Sequence, residues 1–448
     1  MTTVTIATLG CKVNQFESEA LLSSFEQGGY RLIPFGGPAD ITIINTCTVT
    51  HRADFQSRQV VRRALRASPK SLLIVTGCYA QVHPETFAET EGVRYVLGNQ
   101  EKTRLLEILP LLERGEFPRI QVGDIATENL FSEMALHSFH HHTRAFLKIQ
   151  DGCNGACSYC IVPRARGPSR SLSLVRILGQ LRNLREKGFK EVVLTGIHIG
   201  AYGLDLKPSL TLERLLQELE AAETPDRVRL SSVEPADFSE PLISSLSRST
   251  KVCRHLHIPI QSGEDETLQK MNRGYDSRFL HTLITELHCR IPGLCLGADV
   301  IAGFPGETEE KFERTLQLIE TLPLSYLHVF PFSRREGTLA LRFSHQVPEA
   351  TTKERAEKLR ALGKKKRRAF QQTFLGEELK VLVEDRRDKG TGMWKGFSRN
   401  YINYIPVLLS NPCPSGDDRH WINQELNVRV VEVKEEGVIG EVTEKRYG

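Results

Sequence analysis

No stretch of the 448 residues approaches the roughly 18 to 20 consecutive apolar residues of a membrane span. Met1 runs into the strand-like Val4-Thr-Ile-Ala7, not into a basic and then apolar leader. A soluble, cytoplasmic protein with no membrane partner is therefore expected. Neither sign of charge dominates: 59 Lys and Arg face 55 Asp and Glu, a formal net charge of +4, too small to name a polyanionic partner from bulk composition. The 40% hydrophobic and 25% charged content is that of an ordinary globular chain. A chain of this length exceeds one core, so two to four domains are expected. Ten cysteines in a reducing compartment point to metal or redox work, not to a disulfide framework.

What stands out is one short run, Cys153-Asn-Gly-Ala-Cys157-Ser-Tyr-Cys160, just after the apolar Ala145-Phe-Leu-Lys-Ile-Gln150. Three thiolates at this spacing can close on an iron-sulfur cube and leave its fourth iron open. Two other readings fit the spacing alone: structural zinc completed by one of His140 to His142, or three unrelated core cysteines. The triplet is similar to the signature of the radical S-adenosylmethionine enzymes, including the aromatic Tyr159 before the last cysteine. That resemblance implies a 4Fe-4S cluster whose open iron chelates S-adenosylmethionine, with cleavage of the sulfonium to a 5′-deoxyadenosyl radical.

The first ~130 residues alternate strand and helix: strands at 4–9, 40–45, 71–76 and 93–97, with helices at 15–28, 53–67 and 84–90 between them. Apolar strands separated by helices imply a doubly wound parallel sheet. The first three strands each end in a cysteine, at Cys11, Cys47 and Cys78. Because the carboxyl ends of parallel strands share one edge, these three converge on a second three-thiolate site. Any one of them alone reads as a small buried residue. Residues 114–142 lack periodicity and read as a linker, with the boundary near Phe139.

From Arg144 to about Phe332 six further strand and helix units suggest a partial (β/α)6 barrel, with chemistry at the strand carboxyl ends. Those ends carry Gly196, Glu234, Gln261-Ser-Gly263, Asp299 with Gly303-Phe-Pro-Gly306, and Pro331-Phe-Ser-Arg334. Glycine there lets a ligand approach the backbone, and the polar groups suit a methionine carboxylate, ribose and adenine. Gly303-Phe-Pro-Gly306 also reads as a plain turn before a helix capped by Thr308, with Glu309 and Glu310 in its first turn. A long helix at 352–373 leads to short strands at 378–384, 401–408, 427–433 and 438–442, which suit a small β barrel of the oligonucleotide-binding kind.

Two local runs are basic. Residues 353–370 hold nine Lys or Arg against two Glu, and residues 52–70 hold six against Asp54 alone. Such runs supply phosphate neutralisation, although either alone reads equally as a solvated helix face. Trp394, Phe397 and Tyr401, near Lys395 and Arg399, are of the types that stack bases and hold phosphate, and equally of the types that fill a core.

The whole chain resembles the radical S-adenosylmethionine methylthiotransferases. The residues that carry the likeness are Thr8-Leu-Gly-Cys-Lys-Val-Asn-Gln-Phe-Glu-Ser18, Asn45-Thr-Cys-Thr-Val-Thr50, Thr76-Gly-Cys-Tyr-Ala-Gln81, Arg144-Ala-Phe-Leu-Lys-Ile-Gln-Asp-Gly-Cys153, Leu194-Thr-Gly-Ile-His-Ile-Gly-Ala-Tyr-Gly203 and Ser232-Val-Glu-Pro235. Lys12-Val13-Asn14 after the first cysteine resembles the branch acting on threonylcarbamoyladenosine in tRNA. The likeness implies an N-terminal domain over 1–138 with an auxiliary cluster, a radical core over 139–371 and a C-terminal TRAM domain over 372–448.

It further implies two 4Fe-4S clusters, one on Cys153, Cys157 and Cys160 as the radical source and one on Cys11, Cys47 and Cys78 as the sulfur carrier. S-adenosylmethionine contacts are expected at Tyr159, from the signature, and at Gly196, Glu234, Gln261 and Asp299, from their places at the strand ends. The product implied is the 2-methylthio derivative of the modified adenosine beside the anticodon, formed on the tRNA anticodon stem-loop with an external electron donor and a sulfur donor the residues do not identify. Phe397-Ser398 departs from the Tyr-Thr more usual in relatives. The same chemistry on isopentenyladenosine tRNA or on a ribosomal protein, and a non-catalytic iron-sulfur RNA-binding protein, are the alternatives.

Overall fold

Apolar strands punctuated by amphipathic helices build three units in the computed structural model, which describes residues 1–134, 143–400, 407–409, 419–435 and 437–443. The expected boundary at Phe139 and the histidines His140 to His142 lie outside the described residues.

In the first unit six parallel strands stand in the order Arg31–Leu32, Thr3–Thr8, Ile41–Thr46, Leu72–Gly77, Tyr95–Leu97, Ile120–Gln121. Ile41–Thr46 is buried along its whole length, as a central strand covered on both faces must be. Ile120–Gln121 falls in the stretch the sequence reads as linker; two residues are too few for a period to show. The chain order reverses between Thr3–Thr8 and Ile41–Thr46, and at such a switch point the flanking helices leave on opposite faces and open a crevice at the strand tips.

The second unit places its six strands in two parallel sheets of three. One runs Arg227–Leu230, Glu191–Thr195, Ala145–Lys148; the other His255–Gln261, Cys295–Ala302, Tyr326–Pro331. The seam between them is held by a single bridge, Val228 with Val252, and by the Val233 amide donating to the His257 carbonyl at 3.0 Å. This is the expected partial barrel, open along one seam. Thr308 caps the helix Glu309–Thr321 as its sequence predicts, accepting from the Lys311 amide. Leu147, Leu194 and Ile258 of the barrel belong to the same apolar cluster as Val4, Phe16 and Phe25 of the first unit. The two units thus share one core.

Helix Glu349–Gln372 leads into a closed five-stranded barrel in the order Glu378–Arg387, Trp394–Ser398, Val407–Leu409, Gly437–Val442, Glu425–Lys434. Here the sequence reading needs correction. Trp394–Ser398 is a strand, and Trp394 is packed into this barrel's own core beside Val381 and Val430. Phe397 is also buried and lies under the Arg144 guanidinium at 4.3 Å. Three apart on the strand, the two rings face opposite sides: Trp394 fills the barrel and Phe397 is covered by Arg144 of the second unit, so neither is free to stack a base. Tyr401 lies outside the described residues.

The small barrel docks on the amino-terminal ends of the core strands. Glu191 and Arg227 both open their strands, and Glu191 accepts from Arg227 at 2.8 Å and from Arg229 at 2.9 Å. Arg227 also reaches Glu425 at 2.6 Å and the Phe397 carbonyl at 2.8 Å, while Arg144 reaches Glu384 at 2.9 Å. Among the described residues no helix is long and apolar enough to cross a membrane.

Candidate active site

The loop that carries Cys153, Cys157 and Cys160 is pinned at both ends. Gln150–Asp151 pairs antiparallel with Arg170–Ser171, and the Cys153 amide donates to the Gly167 carbonyl at 3.0 Å. The turn into the loop needs glycine: Gly152 sits at φ +71°, and a Cβ there would stand 1.9 Å from the Pro168 carbonyl oxygen. Gly152→Ala is therefore expected to displace the loop and to strip iron from Cys153, Cys157 and Cys160, read by iron quantification of purified protein.

Each of the three sulfurs faces a donor. The Gly155 amide donates to Cys153 Sγ at 3.2 Å, the Val162 amide to Cys160 Sγ at 3.4 Å and Arg273 Nη1 to Cys157 Sγ at 3.4 Å. Donors aimed at sulfur suit thiolates, the form that ligates iron. Burial pushes the Cys160 thiol up to about 12, so only a bound cation makes this sulfur anionic near neutrality. All nine described cysteines are free, and the donor set fits an iron-sulfur group.

Around this loop stand residues that sequence reasoning did not single out. Arg273 bridges Cys157, the Tyr159 hydroxyl at 3.4 Å and Glu234, which forms its ion pair. Burial nonetheless holds the Glu234 carboxyl above its ordinary value. His198 lies 3.8 Å from Cys153 Sγ and 2.7 Å from Asp237. Burial works to lower the His198 pKa, but the Asp237 and Cys153 hydrogen bonds outweigh it and raise it to about 10.

The charged imidazole therefore stabilises the fold fully below about pH 6.5, the unfolded value, and that contribution is lost as pH rises toward about 10. Thermal melting of iron-free protein over this range is expected to show the loss in wild type and a flatter profile in Asp237→Asn.

The five residues expected at the cofactor divide. Tyr159 lies in the loop of Cys153, Cys157 and Cys160 with its ring edge-on to Phe304 at 6.4 Å, and Glu234 faces the same loop through Arg273. Gln261 sits at a β-bulge with φ +65°. Gly196 packs against Gln150: a Cβ would meet Gln150 Oε1 at 2.8 Å, and that oxygen accepts the Ile197 and His198 amides. Its evident task is to let Gln150 hold the turn that aims His198. Asp299 points to two histidines, with one oxygen 2.8 Å from His257 Nε2 and 3.4 Å from His328 Nδ1.

Cys11, Cys47 and Cys78 do converge, at the switch point of the first sheet. Cys11 stands just before helix Lys12–Gln27, Cys47 follows Ile41–Thr46, and Cys78 opens helix Cys78–Val82. Gly10, at φ +96°, brings the first tip so close that a Cβ would lie 2.7 Å from Cys47 Sγ. Burial pushes the Cys47 thiol up to about 12 as well, and Arg166 Nε donates to Cys78 Sγ at 3.2 Å. The five-residue helix Val162–Arg166 thus follows Cys160 at one end and touches Cys78 at the other. The first unit is fastened over the barrel by the Ser333 hydroxyl, which accepts from the His51 amide at 2.9 Å, and by buried Arg335 against Asp54 and Thr48.

The basic runs are only partly free. Arg355 is buried against Glu307, Lys366 donates to the Leu322 carbonyl at 2.7 Å, and Lys364 meets Glu435 at 3.3 Å. In helix His51–Ala67, Arg52, Arg62 and Arg66 remain on the surface.

Two family models match the chain: uncharacterized protein family UPF0004 over residues 3–98 and the radical SAM superfamily over residues 147–319. The chain is 40% identical over 408 residues to the threonylcarbamoyladenosine tRNA methylthiotransferase MtaB of Bacillus subtilis, covering 90% of each chain. It is 32% identical over 447 residues to a tRNA-2-methylthio-N(6)-dimethylallyladenosine synthase of Methylacidiphilum infernorum, covering 96% of this chain and 93% of that one. Among solved structures it is similar to the radical S-adenosylmethionine methyltransferase TsrM of Kitasatospora setae with cobalamin and a [4Fe-4S] cluster bound, with a TM-score of 0.56, 14% identity, and coverage of 76% of this chain and 77% of that one. That last likeness is one of fold.

Proposed function

The chain belongs to the radical S-adenosylmethionine methylthiotransferases, and from that premise we propose that it converts N6-threonylcarbamoyladenosine beside the tRNA anticodon to its 2-methylthio derivative. What supports the reading is that Cys11, Cys47 and Cys78 meet at strand ends while Cys153, Cys157 and Cys160 share one loop, and that the short helix Val162–Arg166 after Cys160 carries the arginine that touches Cys78.

Cys153, Cys157 and Cys160 would hold one 4Fe-4S group and Cys11, Cys47 and Cys78 the other; when bound, with S-adenosylmethionine, they supply radical generation and sulfur delivery. The chain's own residues position and seclude. Arg273, His198 and the loop amides fix the core sulfurs, while Glu234 and Tyr159 line the same pocket as polar contacts for the cofactor. Docking of the first unit through Ser333 and Arg335 covers the barrel mouth and limits access of water to a reactive carbon centre. An aromatic C–H offers no acid-base route to thiolation, so radical source and sulfur carrier must face one pocket. The adenosine leaves the anticodon stack to reach it, while the terminal barrel and exposed arginines of helix His51–Ala67 grip phosphates. An external one-electron donor completes the cycle, and the work belongs in the cytoplasm, where tRNA is modified.

Mass spectrometry of tRNA nucleosides from cells with and without the gene tests this. Disappearance of the methylthio form with accumulation of threonylcarbamoyladenosine is the expected result; loss of the isopentenyl counterpart instead would move the chain to the sister branch.

A further inference from the structure

Behind Cys78 lies a charged network that is almost wholly buried and drawn from both units. Arg166, 1% exposed, spends its whole guanidinium there. Nε donates to Cys78 Sγ at 3.2 Å, Nη1 and Nη2 grip Glu17 at 2.5 and 3.0 Å, and Nη2 also meets the Asn14 side-chain oxygen. Glu17 further accepts from Lys102 at 2.6 Å and from Lys148 at 3.0 Å. Asp151 accepts from Lys148 at 3.0 Å and lies 3.8 Å from Arg170.

Four cations thus face two carboxylates. Burial lowers the Lys102 pKa. Even with Lys102 set aside, Lys148, Arg166 and Arg170 outnumber Glu17 and Asp151, the carboxylates they meet in ion pairs. A buried excess of positive charge is costly unless an anion meets it. The group it faces directly is the Cys78 sulfur. Three thiolates closing on iron would bring net negative charge to that spot, and Arg166 already points a donor at it.

We propose that Arg166 is the positioning residue of the auxiliary site: it holds Cys78 in the thiolate geometry and, with Lys148 and Arg170, forms a net positive wall that raises the reduction potential of the group bound there. The inference rests on the reading that Cys11, Cys47 and Cys78 carry an iron-sulfur group. Positive charge and N–H donors at sulfur favour the more negative, reduced state. Because Arg166, Lys148 and Arg170 belong to the core unit while Glu17 and Cys78 belong to the first, the same contacts lock the two units together when the site is filled.

The test is an anaerobic redox titration followed by electron paramagnetic resonance on the full chain reconstituted with iron and sulfide, the signals being assigned with a variant whose Cys153, Cys157 and Cys160 are alanine. Arg166→Gln is expected to shift the auxiliary potential downward and Glu17→Gln, which enlarges the positive excess, to shift it upward. The core group should keep its potential in both, and Arg166→Lys should restore part of the shift. Loss of auxiliary iron in Arg166→Gln with retention in Arg166→Lys would be the stronger form of the same result. An unmoved potential in Arg166→Gln, or shifts of one sign in both charge variants, would overturn the inference; a wild-type chain that binds iron only at the core cysteines would instead sink the reading beneath it.

Discussion

Cys157→Ala is expected to abolish methylthiolation while leaving tRNA affinity within about twofold of wild type, since phosphate contacts dominate nucleic-acid affinity and Cys157 makes none. The loss follows from ligand count. Two thiolates are left where three close on the iron group, and Arg273, which donates to Cys157 Sγ at 3.4 Å, loses that acceptor. Filter binding of tRNA together with a single-turnover assay of nucleoside product separates the two readouts. Retained activity would remove the core triplet from the chemistry, and lost binding with lost activity would point to a collapsed fold. A protein that only binds RNA would keep its cellular role in this variant, so complementation of a deletion strain discriminates the remaining alternative.

The second large effect is on stability. Glu191 is completely buried and is the shared carboxylate of Arg227 and Arg229, with Arg144 at 3.7 Å. Burial works to raise its pKa, but the three guanidinium groups hold it well below the carboxylate range. Glu191→Ala leaves buried cations uncompensated, and breaking such a group costs about 3 to 5 kcal/mol. Both tryptophans of the chain, Trp394 and Trp421, pack in or against the C-terminal barrel. Tryptophan fluorescence during denaturant unfolding therefore reports on the barrel that Glu191, through Arg227, helps to dock. The barrel is expected to melt early in the variant. A change below about 1 kcal/mol, the size of an ordinary substitution, would show that Arg227 and Arg229 find sufficient partners in Glu425 and the carbonyls of Phe397 and Ser398.

Much of this architecture was legible in the chain because its signals are local. The spacing of Cys153, Cys157 and Cys160 is set within one loop, and Cys11, Cys47 and Cys78 each follow a strand whose apolar run is its own signature. Parallel order then brings the three tips to one edge, so positions distant in sequence were readable through topology alone. Lys148 and Gln150 left a weaker trace as polar residues alternating with Leu147 and Ile149 on an otherwise apolar strand. Their meaning did not follow from it.

Only the tertiary structure decided what those side chains meet. Arg166 and Cys78 are 88 residues apart, and Arg166 and Glu17 are 149 apart. No local period connects such positions, and a buried charge declares its partner only when folding removes water from both. The same holds for Arg273 with Glu234, and for Trp394 and Phe397, whose aromatic character suits a base-stacking surface and a core equally well until burial chooses the core. The sequence by itself determined most of the elements, though not the strand Trp394–Ser398, and which cysteines stand at their ends, because backbone periodicity and strand ends are properties of contiguous residues. The charge environment of those sulfurs, and the surfaces open to RNA, depended on packing between units.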